Sequence, residues 1–234
     1  FGGAPGTPEQ AATPIDPEEV INYEVGMKGD FFDRTLRLNV AAFYMDYTDL
    51  QVVRFGPTPA NPEFGQFVTE NAGQAEISGV ETEFTWAPTD TFRLSGTYAY
   101  LDTAVSDLLI NGVDPTALPG NSDDLRQAPQ NKYSLTGVYD IPLEGGSRIS
   151  LSADYMHTDE QINDYLNQNT IIDEFDLIDA RISWTSASEL WQVALWGKNL
   201  TDEEYIAHSY TIGPGVIGTW GAPRLYGASV SYQL

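Results

Sequence analysis

The chain has 234 residues, with 34 acidic against 11 basic side chains, a formal net charge of −23 and no cysteine. This balance excludes a nucleic-acid partner, because phosphate binding requires a basic face, and the missing cysteine excludes disulfide and thiolate chemistry. No stretch approaches the roughly 20 consecutive apolar residues that a membrane helix needs, so a helical membrane protein is also excluded. A β-barrel remains open, since its strands need only alternate apolar residues.

The first 17 residues predict an irregular segment. Pro5, Pro8, Pro14 and Pro17 are spaced among Gly, Ala and Thr, a composition that cannot build a strand ladder. The chain begins Phe-Gly-Gly with no leader pattern. We therefore expect it to be part of a longer protein.

From residue 18 onward, nine segments alternate apolar or aromatic residues with small or polar ones. This is the period of a β-strand with one apolar face. In chain order the segments lie at about 20–29, 36–44, 67–86, 92–100, 133–139, 149–155, 178–184, 191–195 and 226–234. The third segment places Glu81 and Glu83 opposite its apolar residues. Two such carboxylates suit a wet lumen better than the dry core of a β-sandwich, where each would need a partner.

The connections between these segments alternate in length. Short ones are predicted near 30–34, 87–90, 143–147 and 185–188, and long ones near 56–66, 102–129, 161–172 and 201–221. The loop at 56–66 is predicted from Pro57, Pro59 and Pro62, which interrupt strand pairing. Alternating short turns and long loops are typical of an antiparallel up-and-down transmembrane β-barrel, and aromatics near the strand ends support this interpretation. Because nine strands cannot close an even-numbered barrel, further strands are expected before residue 1.

Four motifs carry a family resemblance. They are EVINYEVGMK at 19–28, NAGQAEISGVE at 71–81, KNLTDEEY at 198–205 and PRLYG at 223–227. In order and spacing they resemble the C-terminal barrel of TonB-dependent outer-membrane receptors. Read without the family, Gly73 and Gly79 predict a bulge or a close backbone approach, and Asn199 and Asp202 predict local side-chain-to-backbone turns.

The resemblance implies an all-β fold that contributes about nine strands to a barrel of about 22 strands. It also implies two parts: an extracellular loop remnant at 1–17, and the C-terminal portion of the barrel at 18–234. The expected function is energised uptake of a scarce ligand across the outer membrane, with an iron–siderophore complex as the expected ligand. Expected partners are outer-membrane lipid and lipopolysaccharide, a small metal chelate, and the TonB energy-coupling complex, which would act through an N-terminal plug that this chain lacks. No cofactor and no enzymatic activity are expected.

Three other functions stay open on the residues alone. A passive porin-like channel would share the barrel without a plug. An outer-membrane protease or lipase would need Ser, His and Asp side chains converging at the barrel rim. A soluble β-sandwich binding module would need Glu81 and Glu83 buried or the apolar face in water.

No catalytic constellation, metal motif or phosphate-binding loop stands out. Aromatic and polar side chains in the long loops are the expected ligand contacts, because loops on a rigid scaffold carry recognition. These are Tyr165, His208, Tyr210 and Trp220, and an equally good interpretation is that they pack the loops together. Acidic groups at 159–160, 173–176 and 202–204 could hold divalent cations that bridge lipopolysaccharide, although solvated surface charge explains them as well.

Overall fold

Nine strands form one antiparallel sheet in a computed structural model that describes residues 14–58, 61–110, 112–118, 121–212 and 215–233. Each of the first seven strands pairs with the next along the chain, and the eighth pairs with the last strand of the chain. The strands of this sheet are β1 (Glu19–Phe31), β2 (Leu36–Thr58), β3 (Asn61–Thr89), β4 (Phe92–Ser106), β5 (Asn131–Pro142), β6 (Arg148–Thr158), β7 (Phe175–Thr185), β8 (Trp191–Lys198) and β11 (Leu225–Tyr232). The prediction of nine antiparallel up-and-down strands is confirmed.

The strand register places the apolar positions of all nine strands on one face. Side chains at paired positions project from the same side of a sheet, and successive residues alternate between sides. One row across the sheet reads Leu38, Phe84, Gly96, Leu135, Tyr155 and Ile178. The adjacent row reads Asn39, Glu83, Thr97, Ser134 and Met156. We call the two sides the apolar face and the polar face.

Glu81 and Glu83 lie on the polar face and are exposed, as predicted for a wet surface. Asn39 donates a hydrogen bond from Nδ2 to Glu83 Oε2 at 3.2 Å. The two carboxylates line an open cavity of about 610 Å³, and Lys28 and Lys132 line it with them. The carboxylates therefore share an open cavity with lysines here and do not lie in a dry core.

Short turns close one end of the sheet, as predicted. The turn between β1 and β2 places Phe32, Asp33 and Arg34 at positive φ, and Thr35 N donates to Phe32 O at 3.1 Å. The turn between β5 and β6 contains a single turn of 3-10 helix at Glu144–Gly146, where Gly145 has φ 82°. In the described part of the chain, no helix is long and apolar enough to cross a membrane.

The predicted loop at 56–66 is wrong. β2 continues to Thr58 and β3 begins at Asn61, so the two longest strands of the sheet project together beyond their neighbours. The ladder is irregular at this point, which explains why proline is tolerated. Pro57 falls in a register shift between Gly56 and Thr58, where the ladder needs no hydrogen bond from a backbone N–H at this residue. Pro59 lies outside the described residues, as does most of the predicted 1–17 loop, of which residues 14–17 have no regular secondary structure.

The predicted loop at 201–221 contains a hairpin, which is the second correction. Strands β9 (Ile206–Ile212) and β10 (Gly215–Trp220) form a separate two-stranded sheet. Strands this short contain too few alternations of apolar and polar residues to be recognised in the sequence. The apolar period is also broken by a register shift between Thr219 and Trp220.

The chain enters this hairpin through the turns predicted at Asn199 and Asp202. Both residues have positive φ, and the Asn199 side chain accepts from Glu203 N at 2.8 Å and donates to Ala222 O at 3.0 Å. Asp202 forms an ion pair with Arg224 at 3.0 Å. Two of the four sequence motifs therefore hold the hairpin's entry and exit together.

Gly79 marks a close approach of neighbouring strands, as its position predicted. A Cβ at Gly79 would lie 2.5 Å from Tyr100 O and 2.7 Å from Phe43 Cζ, whereas a Cβ at Gly137 of β5 would meet nothing within 4 Å. We expect Gly79→Ala to lower the free energy of unfolding by about 1–3 kcal/mol, because the added methyl overpacks the sheet. The measurement is urea unfolding of the detergent-solubilised protein.

Gly137→Ala is the matched control. It places the same methyl in an open position of the same sheet. The free energy of unfolding should stay unchanged or rise slightly, because alanine lowers the conformational entropy of the unfolded chain. Equal losses for both variants would contradict the close approach at Gly79.

Candidate functional site: a loop layer at the open end of the sheet

Three long connections meet at the end of the sheet opposite the short turns. They are residues 107–130, residues 159–174, and the β9–β10 hairpin with its flanks. Together with the projecting end of the β2–β3 hairpin, they form what we call the loop layer. Its core is a cluster of buried side chains: Val52, Ala72, Ala75, Val105, Leu108, Ile110 and Tyr165. The loops are therefore built around apolar packing of their own.

The first two loops are joined by backbone and amide hydrogen bonds. Gln127 N donates to Ile162 O at 2.9 Å. Asn121 donates from Nδ2 to Tyr165 O at 2.9 Å, and Gln168 donates from Nε2 to Asn121 Oδ1 at 2.7 Å. Since buried backbone groups need partners, these bonds fix the relative position of the two loops.

The hairpin is docked on the 159–174 loop through buried polar groups. Asn163 is buried, and its Nδ2 donates to the backbone carbonyl of Ser209. The Ser209 hydroxyl donates in turn to Thr170 O at 2.6 Å, and Gln127 donates to Asn163 Oδ1 at 2.8 Å. A single asparagine therefore connects the three long connections of the loop layer.

A cavity of about 270 Å³ lies between the first two loops. Four carboxylates line it, and lysine and arginine are absent from its lining, all of which belongs to the described chain. The acids are Asp102, Asp124, Glu160 and Asp164. The buried hydroxyl of Ser122 also lines it and is the one buried side-chain oxygen or nitrogen among the described residues that lacks a hydrogen-bond partner. Such a lining favours a cationic or hydrogen-bond-donating group.

Tyr165 sits in the wall of this cavity and is only 4% exposed. The guanidinium carbon of Arg126 lies 5.1 Å from the ring centroid, in cation–π range, and Arg126 N donates to the phenol oxygen at 3.4 Å. Burial raises the pKa of the Tyr165 phenol above its ordinary value. Tyr165 therefore packs the loops together, and its role as a ligand contact stays a prediction.

His208 and Tyr210 stand together on one side of β9. Their rings stack with centroids 5.8 Å apart, both side chains are exposed, and Asn163 Nδ2 approaches His208 Nδ1 at 3.3 Å. Trp220 closes the hairpin opposite Ile206 and is 66% exposed. The structure thus places three of the four predicted contacts on the hairpin and the fourth in the packed core of the loop layer.

Sequence reasoning missed the residues that organise this layer. Asn163 is one of several asparagines in a polar stretch, and nothing in its neighbours marks it as buried. A second group, formed by His157, Asp159 and Glu174, depends on the two ends of the 159–174 loop meeting. The sequence offered Asp159 and Glu174 as candidate cation ligands in two separate acidic groups, but it did not show that they meet each other and His157.

The family is decided by a sequence match. The family model described as "TonB dependent receptor-like, beta-barrel" matches residues 1–200. This chain belongs to the TonB-dependent receptor family. The prediction made from the four motifs is confirmed.

Similar proteins agree with the family. The chain is 28% identical over 221 residues to the metal-pseudopaline receptor CntO of Pseudomonas aeruginosa, covering 93% of this chain and 28% of that receptor. It is 25% identical over 204 residues to the probable TonB-dependent siderophore receptor PiuA of Acinetobacter baumannii, covering 84% and 25%. The chain therefore spans little more than a quarter of the curated relatives that it matches.

Solved receptors share the fold of this TonB-dependent receptor chain. The ferric yersiniabactin uptake receptor FyuA from Yersinia pestis superposes with a TM-score of 0.76 at 18% identity, over 94% of this chain and 30% of that one. The PiuA crystal structure superposes with a TM-score of 0.70 at 23% identity, over 92% and 28%. At these identities the likeness establishes the antiparallel barrel wall.

Asn163→Ala should loosen the hairpin without unfolding the sheet. The substitution leaves the Ser209 carbonyl and the Gln127 amide without their buried partner, which costs about 1–3 kcal/mol. Hydrogen exchange of the β9 and β10 amides should then accelerate by about tenfold or more, as followed by mass spectrometry.

The control is Asn169→Ala, which removes an exposed amide that bonds only locally to Asn167. It should leave hairpin exchange unchanged. If Asn163→Ala also left it unchanged, the docking role of Asn163 would be refuted.

Proposed function

We propose that this chain is the C-terminal barrel wall of an outer-membrane receptor that imports a scarce metal chelate, with an iron–siderophore complex as the leading ligand. Family membership supports the receptor class. The names of the relatives, a metal-pseudopaline receptor and a probable siderophore receptor, support the ligand class. Residues 1–17 are proposed to be the remnant of an extracellular loop.

The sheet supports the proposed outer-membrane location. The apolar face carries a series of exposed tryptophans and tyrosines close to the short turns, and such aromatics are typical of the interfacial girdle of outer-membrane barrels. They are Trp86, Tyr139, Trp184, Trp191 and Tyr232. Outer-membrane lipid is the proposed partner of this face, and lipopolysaccharide of its upper part near the loops.

The loop layer is the proposed ligand-binding region. His208, Tyr210 and Trp220 offer exposed aromatic and imidazole groups on a hairpin held by buried polar bonds, and Tyr165 lines the acidic cavity beneath. Aromatic rings give contact area at low entropic cost, and an imidazole can bond to a chelate or its metal. Binding, rather than catalysis, is the proposed activity, and no cofactor is part of it.

Energy is proposed to reach the barrel through a plug domain pulled by the TonB complex. This feature separates the proposal from a passive porin-like channel, in which accumulation would not depend on energy. No observation in the loop layer favours the porin, the outer-membrane enzyme or the soluble module over the receptor.

The paired substitution His208→Ala and Tyr210→Ala in the intact receptor should weaken binding of its ferric chelate by about tenfold or more. The expected loss of affinity has this size because each of the two side chains is expected to contribute roughly 1 kcal/mol to the binding free energy. Binding of radiolabelled ferric siderophores to whole cells at 0 °C measures it.

Val216→Ala is the control, because Val216 pairs with Thr211 and so projects from the opposite side of the hairpin. Unchanged binding in the double variant would remove the hairpin from the ligand site. A protonophore should abolish accumulation at 37 °C while leaving binding at 0 °C intact, and energy-independent accumulation would support the porin instead.

A further inference from the structure

The loop ends of β6 and β7 bring an imidazole and three carboxylates together on the apolar face. His157 pairs with Asp176 across the two strands, and Asp159 follows the last residue of β6. One ligand atom from each of His157, Asp159 and Glu174 lies within 4.8 Å of the others. The group lies outside the acidic cavity and outside the hairpin described above.

Both nitrogens of His157 face carboxylate oxygens. Nδ1 lies 2.8 Å from Asp176 Oδ1, and Nε2 lies 2.8 Å from Asp159 Oδ1. When the imidazole donates its Nδ1 proton to Asp176, the lone pair of Nε2 points at Asp159 Oδ1. Nε2 and Asp159 Oδ1 are then two neighbouring ligand atoms that a single cation can bind from one side. A carboxylate bonded to the far nitrogen of a histidine is also the arrangement that orients metal-binding histidines in proteins.

Asp159 is held in place by its other oxygen. Its Oδ2 accepts from the backbone N of Asn131 at 2.8 Å and from Asn131 Nδ2 at 2.7 Å, and Asn131 Oδ1 accepts from Tyr98 OH at 2.9 Å. These bonds leave Oδ1 directed at His157. The ring of Tyr133 stacks on the imidazole with centroids 4.8 Å apart, so both side chains are held in position.

The charge of the group is unbalanced. Three carboxylates surround one imidazole, and Asp159 and Asp176 have no lysine or arginine partner within the described chain. The His157 side chain is 14% exposed and that of Asp159 is 25% exposed, so solvent screens them only in part. Glu174 is exposed and leaves an entry path.

We propose that His157 Nε2, Asp159 Oδ1 and the Glu174 carboxylate bind a divalent first-row transition metal ion, with Asp176 as the positioning residue. One imidazole and two carboxylates suit Zn²⁺, which takes nitrogen and oxygen ligands with room for water in the fourth position. The ion would clamp both ends of the 159–174 loop, next to the bridge between Gln161 and Ile172. It would therefore stiffen the segment that carries Asn163 and Tyr165.

The test is Zn²⁺ titration of the chelator-treated intact receptor in detergent, by calorimetry at neutral pH. One saturable site is expected to be lost or weakened at least tenfold in Asp159→Asn and in Glu174→Gln. Asp176→Asn should lower the affinity by about 10–100-fold while the site remains. Added Zn²⁺ should also slow hydrogen exchange of the 159–174 amides in the wild type and not in Glu174→Gln.

The control is Asp173→Asn, which removes an exposed charge next to Glu174 and should leave the affinity unchanged. Since Glu174 is exposed, Glu174→Gln should fold normally, which a melting curve checks. The proposal is overturned if the wild type shows no such site, if Glu174→Gln binds Zn²⁺ as tightly as the wild type, or if Asp173→Asn weakens binding equally.

Discussion

The register of the antiparallel ladder is the constraint on which the rest of this structure depends. A slip of one residue between any two strands would transfer one strand's apolar side chains to the polar face. The pairing from β1 to β8 and on to β11 avoids this at each step, because Leu38, Phe84 and Leu135 share a row while Asn39, Glu83 and Ser134 share the next. In a membrane the ladder has a second role, since backbone groups in lipid must be satisfied by other strands.

The loop layer depends on this ladder for its position and on its own contacts for its shape. Apolar packing around Leu108 and Tyr165 joins two loops and the projecting β2–β3 hairpin. The buried amide of Asn163 adds the β9–β10 hairpin. The exposed rings of His208 and Tyr210 are thus carried by a short hairpin whose underside is fixed, which suits a surface that recognises a ligand. The His157 group would add a further clamp at the base of the same loop.

Most of the sheet was predictable from the sequence, because alternation is a local property. The nine strands, their shared apolar face and the short turns followed from period-2 patterns that each span several residues. The turn residues Asn199 and Asp202 and the close approach at Gly79 were also readable, since each is a local backbone requirement. The family followed from four motifs in register.

The failures have a common physical cause, which is that long-range pairing overrides local signals. The prolines near residue 57 predicted a loop, yet the β2–β3 ladder absorbs Pro57 in a register shift. The β9–β10 hairpin has strands too short to show a period. Asn163 and the His157 group depend on loop closure between residues distant in sequence. Tyr165 is one of the four predicted ligand contacts. Its burial arises from packing against β2, β3 and β4, which no local sequence pattern reveals.

The central claim is that one face of this sheet meets lipid and the other does not. The chain itself has no cysteine, so single cysteines can be introduced at Leu135 on the apolar face and at Ser134 on the polar face, once any cysteines elsewhere in the receptor have been replaced. With a fluorophore attached at each in turn in the intact receptor, nitroxide-bearing lipids should quench the label at 135 strongly and the label at 134 weakly. Equal quenching at both positions, or stronger quenching at 134, would contradict the account.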